Sequence, residues 1–277
     1  MKKDGHTHTE FCPHGTHEDT ERFIIRAIEE GFDEYSITEH APLPLEFMKR
    51  CSGIRRAIDT AGIRLSDVGA YFKKMDRLKL KYQSEIKINI GFEVDYLPGF
   101  ENWTTDFLNE YSDRIGDSIL SLHFLPGKGG WRSIDYSSDD YQDGIVGFYG
   151  GFREAQSVYL SYLQKSVTAD LGPYKPKRIG HITLCQKFRK KFDKEDTDFS
   201  SEGKNQILQI LDAVQSGGYE LDFNTAGLYK PYCGEIYPAE DIVKLAKSIG
   251  IGFVYGSDAH SSNEVGRAYD QCPKNII

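Results

Sequence analysis

Four of the eight histidines of this 277-residue chain lie in its first seventeen residues. His6 and His8 are separated by one residue, and a β-strand directs alternate side chains to the same face. If this stretch is a strand, the two imidazoles point the same way and can hold one metal cation. A His-x-His pair by itself is more often two exposed or core histidines, so its meaning depends on the rest of the chain.

Further residues of metal-ligating type follow apolar segments that are typical of strands. These segments span 34–38, 86–95, 118–123, 178–182, 219–224 and 251–257, and only 219–224, which ends at Asn224, lacks such a residue. The candidate metal ligands are His6, His8, His14, His40, Glu93, His123, His181, Asp258 and His260. Of the eight histidines, only His17 is left out of this set.

Helical patterns separate the strand segments, as in the amphipathic stretch 202–215. Strands that alternate with helices indicate an α/β fold, in which a parallel barrel or sheet is joined by right-handed crossovers. In such barrels the functional site forms at the carboxyl ends of the strands. The order of elements therefore predicts that the candidate ligands meet at one rim.

Seven imidazoles and two carboxylates exceed the coordination of one ion, so the pattern predicts two or three divalent cations. A mixed nitrogen and oxygen donor set favours zinc, iron or manganese. Clustered cations of this kind promote the hydrolysis of phosphate esters or amides. The plainer alternative is one stabilising zinc with scattered core histidines.

Composition excludes several classes of function. The formal net charge of −8 argues against a large nucleic-acid surface, which needs clustered lysine and arginine. No apolar run approaches the ~18 residues that span a bilayer, so we expect no membrane segment. The five cysteines lack a Cys-x-x-Cys spacing and favour reduced thiols in the cytoplasm. Cys12 is either a packing residue or a further metal ligand.

The chain has no Pro- or Ser-rich linker and no repeat, so we expect one domain over residues 1–277. Residues 41–65 are irregular, and we expect them to cross the barrel mouth as a lid.

These segments resemble the polymerase and histidinol phosphatase (PHP) superfamily, and within it the monofunctional histidinol-phosphate phosphatases. The resemblance covers nearly the whole chain. Its motifs are Asp4-Gly-His6-Thr-His8 with Cys12-Pro-His14-Gly15, Thr38-Glu39-His40, Gly91-Phe-Glu93-Val-Asp95, Ser121-Leu-His123, Ile179-Gly-His181 and Gly256-Ser-Asp258-Ala-His260. The resemblance implies a distorted (β/α)7 TIM-like barrel with the metal site at the carboxyl ends of the strands.

The resemblance also implies how the ligands divide. A first metal would be held by His6, His8, Glu93 and Asp258, a second by Glu93, His123 and His181, and a third by His14, His40 and His260. The family mechanism implies that a hydroxide bridging two metals attacks phosphorus, with Glu93, Asp258 and His260 as catalytic residues and Asp258 orienting or deprotonating the nucleophile.

Basic side chains in this branch contact the phosphate. The candidates here are Arg153, Lys187 and Arg189, each of which is otherwise a solvated charge. His17 either contacts substrate at the rim or is a polar residue before a helix. Asp95 is expected to orient a ligand. Glu39, which stands where Asp is common, is not expected to touch a ligand.

The implied activity is hydrolysis of L-histidinol phosphate, a small phosphate monoester, in histidine synthesis. The alternatives are a phosphoesterase of the same superfamily acting on another small ester or a nucleotide, and a catalytically inactive metal-binding barrel. The sequence leaves the native metal and the oligomeric state open.

Overall fold

The apolar segments form strands in the computed structural model, which describes residues 1–273. The strands are β1 Lys3–Asp4, β2 Glu34–His40, β3 Lys87–Asp95, β4 Ile119–Ser121, β5 Phe124–Gly127, β6 Gly130–Ser133, β7 Arg178–Ile179, β8 Glu220–Asn224 and β9 Phe253–Gly256. Within residues 1–273, seven of them form one parallel sheet in the order β1-β2-β3-β4-β7-β8-β9. β5 and β6 pair separately as an antiparallel hairpin.

The two edges of this sheet meet just beyond β1 and β9. The backbone N–H of Gly5 donates to the carbonyl of Tyr255 at 2.8 Å, and the N–H of Asp258 donates to the carbonyl of His6 at 2.8 Å. A parallel bridge also joins Thr7 to Ala259. These contacts close the sheet into a distorted (β/α)7 barrel, which confirms the predicted fold class.

Helices cover the outside of the barrel. They are α1 Thr20–Glu29, α2 Leu45–Lys49, α3 Arg55–Asp59, α4 Val68–Lys81, α5 Glu101–Glu110, α6 Ser138–Tyr141, α7 Gly147–Tyr149, α8 Phe152–Thr168, α9 Lys194–Thr197, α10 Ser201–Ser216 and α11 Glu240–Ser248. A π-helical turn, Gln142–Val146, joins α6 to α7. None of the helices in residues 1–273 is long and apolar enough to cross a membrane.

The helix α4 shows how the sequence pattern fixes this packing. Tyr71, Met75 and Leu78 recur at helical intervals and are fully buried, which places one apolar face against the sheet. The Tyr71 hydroxyl donates to the carbonyl of Gly91 at 2.8 Å, so the helix is also tied to β3 by a buried hydrogen bond. The contact holds α4 against β3, the strand that carries Glu93 near its end.

Two segments differ from the sequence predictions. Residues 124–133 form the β5–β6 hairpin, which is absent from the strand segments predicted above. The segment 41–65, expected to be irregular, contains the two short helices α2 and α3. Both segments lie after the carboxyl ends of strands, so they add walls to the rim where the candidate ligands gather.

The opposite end of the barrel is filled by a buried arginine. Arg178 is 2% exposed; it donates to the carbonyl of Gly5 at 2.6 Å and lies 3.1 Å from the carboxylate of Asp117. Asp117 also pairs with Lys3 at 3.0 Å and accepts a hydrogen bond from Ser36 at 2.6 Å. The guanidinium therefore satisfies the Gly5 carbonyl, and Asp117 balances its buried charge.

Gly91 provides a stability test of the sheet. A Cβ there would overlap the carbonyl oxygen of Asp117, which is backbone and cannot move aside. We expect Gly91→Ala to lower the free energy of unfolding by about 3 kcal/mol or more. Gly69→Ala is the matched control, because Gly69 is an exposed helical residue with no neighbour within 4 Å, and it should gain about 0.5–1 kcal/mol. Equal stabilities in urea unfolding would contradict this packing.

Candidate metal centre

The carboxylate of Glu93, at the end of β3, lies at the centre of the candidate ligands. Its Oε2 atom is 3.3 Å from His6 Nε2 and 3.6 Å from His8 Nε2. The Oδ1 atom of Asp258 is 3.2 Å from His8 Nε2 and 3.8 Å from His6 Nε2. Two imidazole nitrogens and two carboxylate oxygens therefore surround one position, a donor set suited to a divalent transition metal.

The other oxygen of Glu93 faces a second pair of imidazoles. Its Oε1 atom is 2.8 Å from His181 Nε2 and 3.5 Å from His123 Nε2. Because one carboxylate serves both groups, Glu93 can bridge two cations.

The rings of His14, His40 and His260 lie together, with centroids 4.9 to 5.8 Å apart, and His40 Nδ1 is also 3.1 Å from Glu93 Oε2. His14 Nδ1 donates to the carbonyl of Thr60 at 2.7 Å, and His260 Nδ1 donates to the carbonyl of Asp258 at 3.0 Å. Their Nε2 atoms face each other at 3.0 Å. Desolvation lowers the pKa of both rings, so both Nε2 atoms carry lone pairs. Two facing acceptors need a proton or a metal cation between them.

Several buried ring nitrogens that face these positions also make no hydrogen bond to a protein atom. They are His6 Nε2, His8 Nε2 and His40 Nε2. Buried polar atoms are nearly always satisfied, by protein, water or an ion. The unpaired nitrogens and the mixed donor set fit bound metal ions.

Carboxylates outside the ligand groups orient three of the rings. Asp222 accepts from His6 Nδ1 at 2.7 Å, and Asp95 from His123 Nδ1 at 3.0 Å. Glu39 lies 3.5 Å from His8 Nδ1. Such a partner fixes the tautomer, so that Nε2 is left free to bind a metal. Asp95 has the predicted position; the expectation that Glu39 touches no ligand is wrong, because the β2 register brings it beside His8.

The charges of the centre are strongly coupled. Burial lowers the pKa of His8 and His123, but the carboxylates of Asp258 and Glu39 raise the first to about 9, and those of Asp95 and Glu93 raise the second to about 10. Burial would raise the pKa of Glu93, yet the surrounding imidazoles hold it well below its usual range. Glu93 is therefore an anion that attracts cations.

Strand β8 supplies no predicted ligand, but it supports the centre. Its inward residues Asp222 and Asn224 lie side by side, and Asn224 Nδ2 donates to Asp222 at 3.1 Å and to Asp258 Oδ2 at 3.2 Å. Gly256 leaves the room for this arrangement, because a Cβ there would lie 2.7 Å from that of His6 and overlap Asp222. Asp258 itself has φ 52°, an uncommon conformation that is often found at functional sites.

A cavity of about 340 Å³ opens above the centre. Among its lining residues are Asp135, Tyr136, Lys187, Lys230, Tyr237 and Glu264. Ala57, Thr60 and Ala61 also line it, so the segment 41–65 forms part of its wall. The expectation that this segment is a lid stays a prediction. The volume suits a small molecule.

The predicted basic residues are placed differently from one another. Lys187 lines the cavity, with its ammonium 2.9 Å from Asp135. Arg189 pairs with Glu235 instead. Arg153, which was predicted to contact the phosphate, does not line this cavity. It lies at the start of α8 in a separate depression, where its guanidinium donates to the carbonyl of Glu195.

His17 and Cys12 lie outside the ligand groups just described. His17 is exposed and its Nδ1 lies 3.3 Å from the carbonyl of Glu10, which agrees with a polar residue before a helix. Cys12 is fully buried, and its Sγ atom lies within 4.8 Å of ring nitrogens of His8, His40 and His260. It therefore stays a candidate metal ligand as well as a packing residue.

Sequence reasoning missed Asp222, Asp135 and Lys230. The alternation of Asp222 and Asn224 at the end of a strand was a usable signal, because both must face the same side. Asp135 and Lys230 follow elements whose path the sequence did not predict.

The contact between Asp222 and His6 gives a test. Asp222→Asn keeps an oxygen near His6 Nδ1 but removes the negative charge that makes the ring a strong ligand. We expect metal affinity, measured by competition with a chelator, to fall by about 10- to 100-fold. Asp212→Asn, at an exposed position of α10, should leave it unchanged. Equal affinity in both variants would contradict this role.

Comparisons with known proteins agree with this geometry. The family model "PHP domain" matches residues 4–226, and the model "PHP-associated" matches residues 240–277. The Histidinol-phosphatase of Bacillus subtilis is 37% identical over 270 residues, which cover 98% of this chain and 97% of that protein.

Two solved structures share the fold. A Listeria monocytogenes protein, provisionally assigned as the histidinol phosphatase HisK, is 56% identical with a TM-score of 0.96 and covers 98% of this chain and 100% of its own. A Lactococcus lactis histidinol phosphate phosphatase, complexed with zinc, L-histidinol and phosphate, is 20% identical with a TM-score of 0.69, over 97% of this chain and 91% of its own.

Proposed function

The chain belongs to the PHP domain family, and on this premise we propose that it hydrolyses L-histidinol phosphate to L-histidinol and phosphate. The observation that carries the proposal is the complete set of ligand-type side chains around Glu93, at the floor of a cavity that suits a small molecule. The 37% identity to a histidinol-phosphatase over almost the whole chain supports the substrate.

We propose three divalent ions, because the ligand-type residues form three groups. The first ion is held by His6, His8, Glu93 and Asp258, the second by Glu93, His123 and His181, and the third by His14, His40 and His260. Zinc, iron and manganese all suit these donors. The zinc of the Lactococcus lactis complex supports zinc among them.

Bound divalent ions supply Lewis-acid activation of water and neutralise the charge on phosphate. The chain's own groups position the reactants. Lys187 and Lys230, which line the cavity, hold the phosphate by charge. Burial and the neighbouring Lys187 lower the pKa of Lys230, and an anionic phosphate bound there would favour its charged form. Asp258 Oδ2, which accepts from Asn224, orients the attacking water or receives its proton. His260 would hold the third ion together with His14 and His40.

The substrate assignment is tested by phosphate release. Purified protein reconstituted with zinc, iron or manganese should hydrolyse L-histidinol phosphate with a kcat/KM at least about 100-fold above those for nucleoside monophosphates and 4-nitrophenyl phosphate. The preference is expected because the cavity carries carboxylates as well as lysines, and the carboxylates disfavour ligands that have only negative charge.

The other outcomes assign other functions. Equal rates on all three esters would indicate a general phosphoesterase. Faster release from nucleotides would indicate the nucleotide alternative. Release from none of them with any of the three metals would indicate a metal-binding barrel without activity. Each of these results contradicts the proposal.

The third ion has a separate test. In His14→Ala or His260→Ala, the group retains only two rings, so we expect the loss of one metal equivalent and most of the turnover. Elemental analysis of the purified variants measures the metal content. His17→Ala is the control and should keep the full metal content, because His17 contacts the Glu10 carbonyl instead. Unchanged metal in both ligand variants would exclude this site.

A further inference from the structure

The cavity is lined by charges of both signs that do not belong to the ligand groups. Lys187 and Lys230 supply positive charge, while Asp135 and Glu264 supply negative charge. Phosphate alone would be attracted by the lysines and repelled by the carboxylates. The two carboxylates therefore need an explanation of their own.

Glu264 is accounted for by its contacts. Its Oε2 atom accepts the backbone N–H of His260 at 2.7 Å, and its Oε1 atom pairs with Arg267 at 2.9 Å. Both oxygens stabilise the loop that carries His260. Glu264 is thus a positioning residue.

Asp135 has no comparable structural task. It follows β6, and the N–H of the preceding Ile134 donates to the carbonyl of His123 at 2.9 Å, which fixes Asp135 beside a ligand. Its Oδ1 atom accepts from Ser133 at 3.1 Å, and its Oδ2 atom faces Lys187 Nζ at 2.9 Å. The side chain of Asp135 is 25% exposed, so it is open to a ligand.

We propose that Asp135 binds the ammonium group of the substrate, and that it does so by exchanging partners with Lys187. The inference rests on the proposed function, because L-histidinol phosphate carries a primary amine, an imidazole and a phosphate on one short chain. When the substrate phosphate binds Lys187, Asp135 loses the lysine as its partner. The substrate ammonium then pairs with Asp135 in place of Lys187. Two ion pairs exist after the exchange, and no charge is left unpaired.

The exchange makes Asp135 a specificity-determining residue. An ester without a cation would draw Lys187 away and leave the carboxylate of Asp135 unpaired in a partly desolvated cavity. Leaving one member of such a pair alone is costly. The enzyme would therefore reject anionic esters that its metal ions could hydrolyse.

The test removes the charge and the amine in turn. Wild type and Asp135→Asn are assayed on L-histidinol phosphate and on 3-(imidazol-4-yl)propyl phosphate. The second ester has the same carbon chain, with a hydrogen atom in place of the amine. We expect kcat/KM for L-histidinol phosphate to fall by about 30- to 100-fold in the variant, mainly through KM. For the amine-free ester kcat/KM should not fall and should instead rise, because the neutral variant no longer leaves an unpaired carboxylate when Lys187 binds the phosphate.

Inhibition and control variants exclude a merely structural effect. L-histidinol should inhibit Asp135→Asn less strongly than wild type, whereas inorganic phosphate should inhibit the variant at least as strongly as wild type. Asp139→Asn changes an exposed residue near Asp135 and should alter neither substrate. Asp135→Ser serves as a second neutral variant if Asp135→Asn loses metal or stability.

The failures are distinguishable. An equal loss on both esters would mean that Asp135 only orients Lys187, and the inference would be overturned. If wild type prefers L-histidinol phosphate and both neutral variants retain the preference for the amine, the inference fails while the proposed function stands. If wild type releases no phosphate from L-histidinol phosphate, both fail.

Discussion

The buried carboxylate of Glu93 sets the constraint that the rest of the centre has to meet. Taking an ionised carboxylate out of water is costly unless positive charge replaces the lost hydration. Five imidazole rings from four strand ends surround its two oxygens, and neutral rings alone do not supply that charge. Protons or metal ions have to supply it. The closed barrel is the frame that places rings from distant parts of the chain around one carboxylate.

A second layer of carboxylates fixes the orientation of three of these rings. Asp222, Asp95 and Glu39 each lie against the Nδ1 atom of a ring whose Nε2 atom faces the centre. Negative charge behind a ring makes it a better donor to a cation, so the layer strengthens metal binding without touching the metal. The same carboxylates would be poorly tolerated if the centre held no positive charge. Ligands and supports therefore depend on each other.

The sequence predicted the parallel barrel and the rim of ligands, because the ends of parallel strands must meet at one side and the ligand types stood at those ends. It did not predict Asp222: the alternation with Asn224 shows that the two share a face, but only the register of β8 shows that this face is the inner one. Arg153 was misplaced because the turn at Gly150, with φ 91°, ends the preceding helix and redirects the next one. The hairpin 124–133 was missed because its glycines indicate a loop as readily as a turn.

The closure of the barrel between residues near its two chain ends has a consequence for synthesis. His14 and His260, whose Nε2 atoms are 3.0 Å apart, are separated by 246 positions in the chain. A growing chain on the ribosome carries the first histidines long before the last strand exists. Until that strand is made, the early ligands have no partners across the rim. Unfinished or prematurely terminated chains would therefore be unable to assemble the centre, and only the completed polypeptide could become a hydrolase.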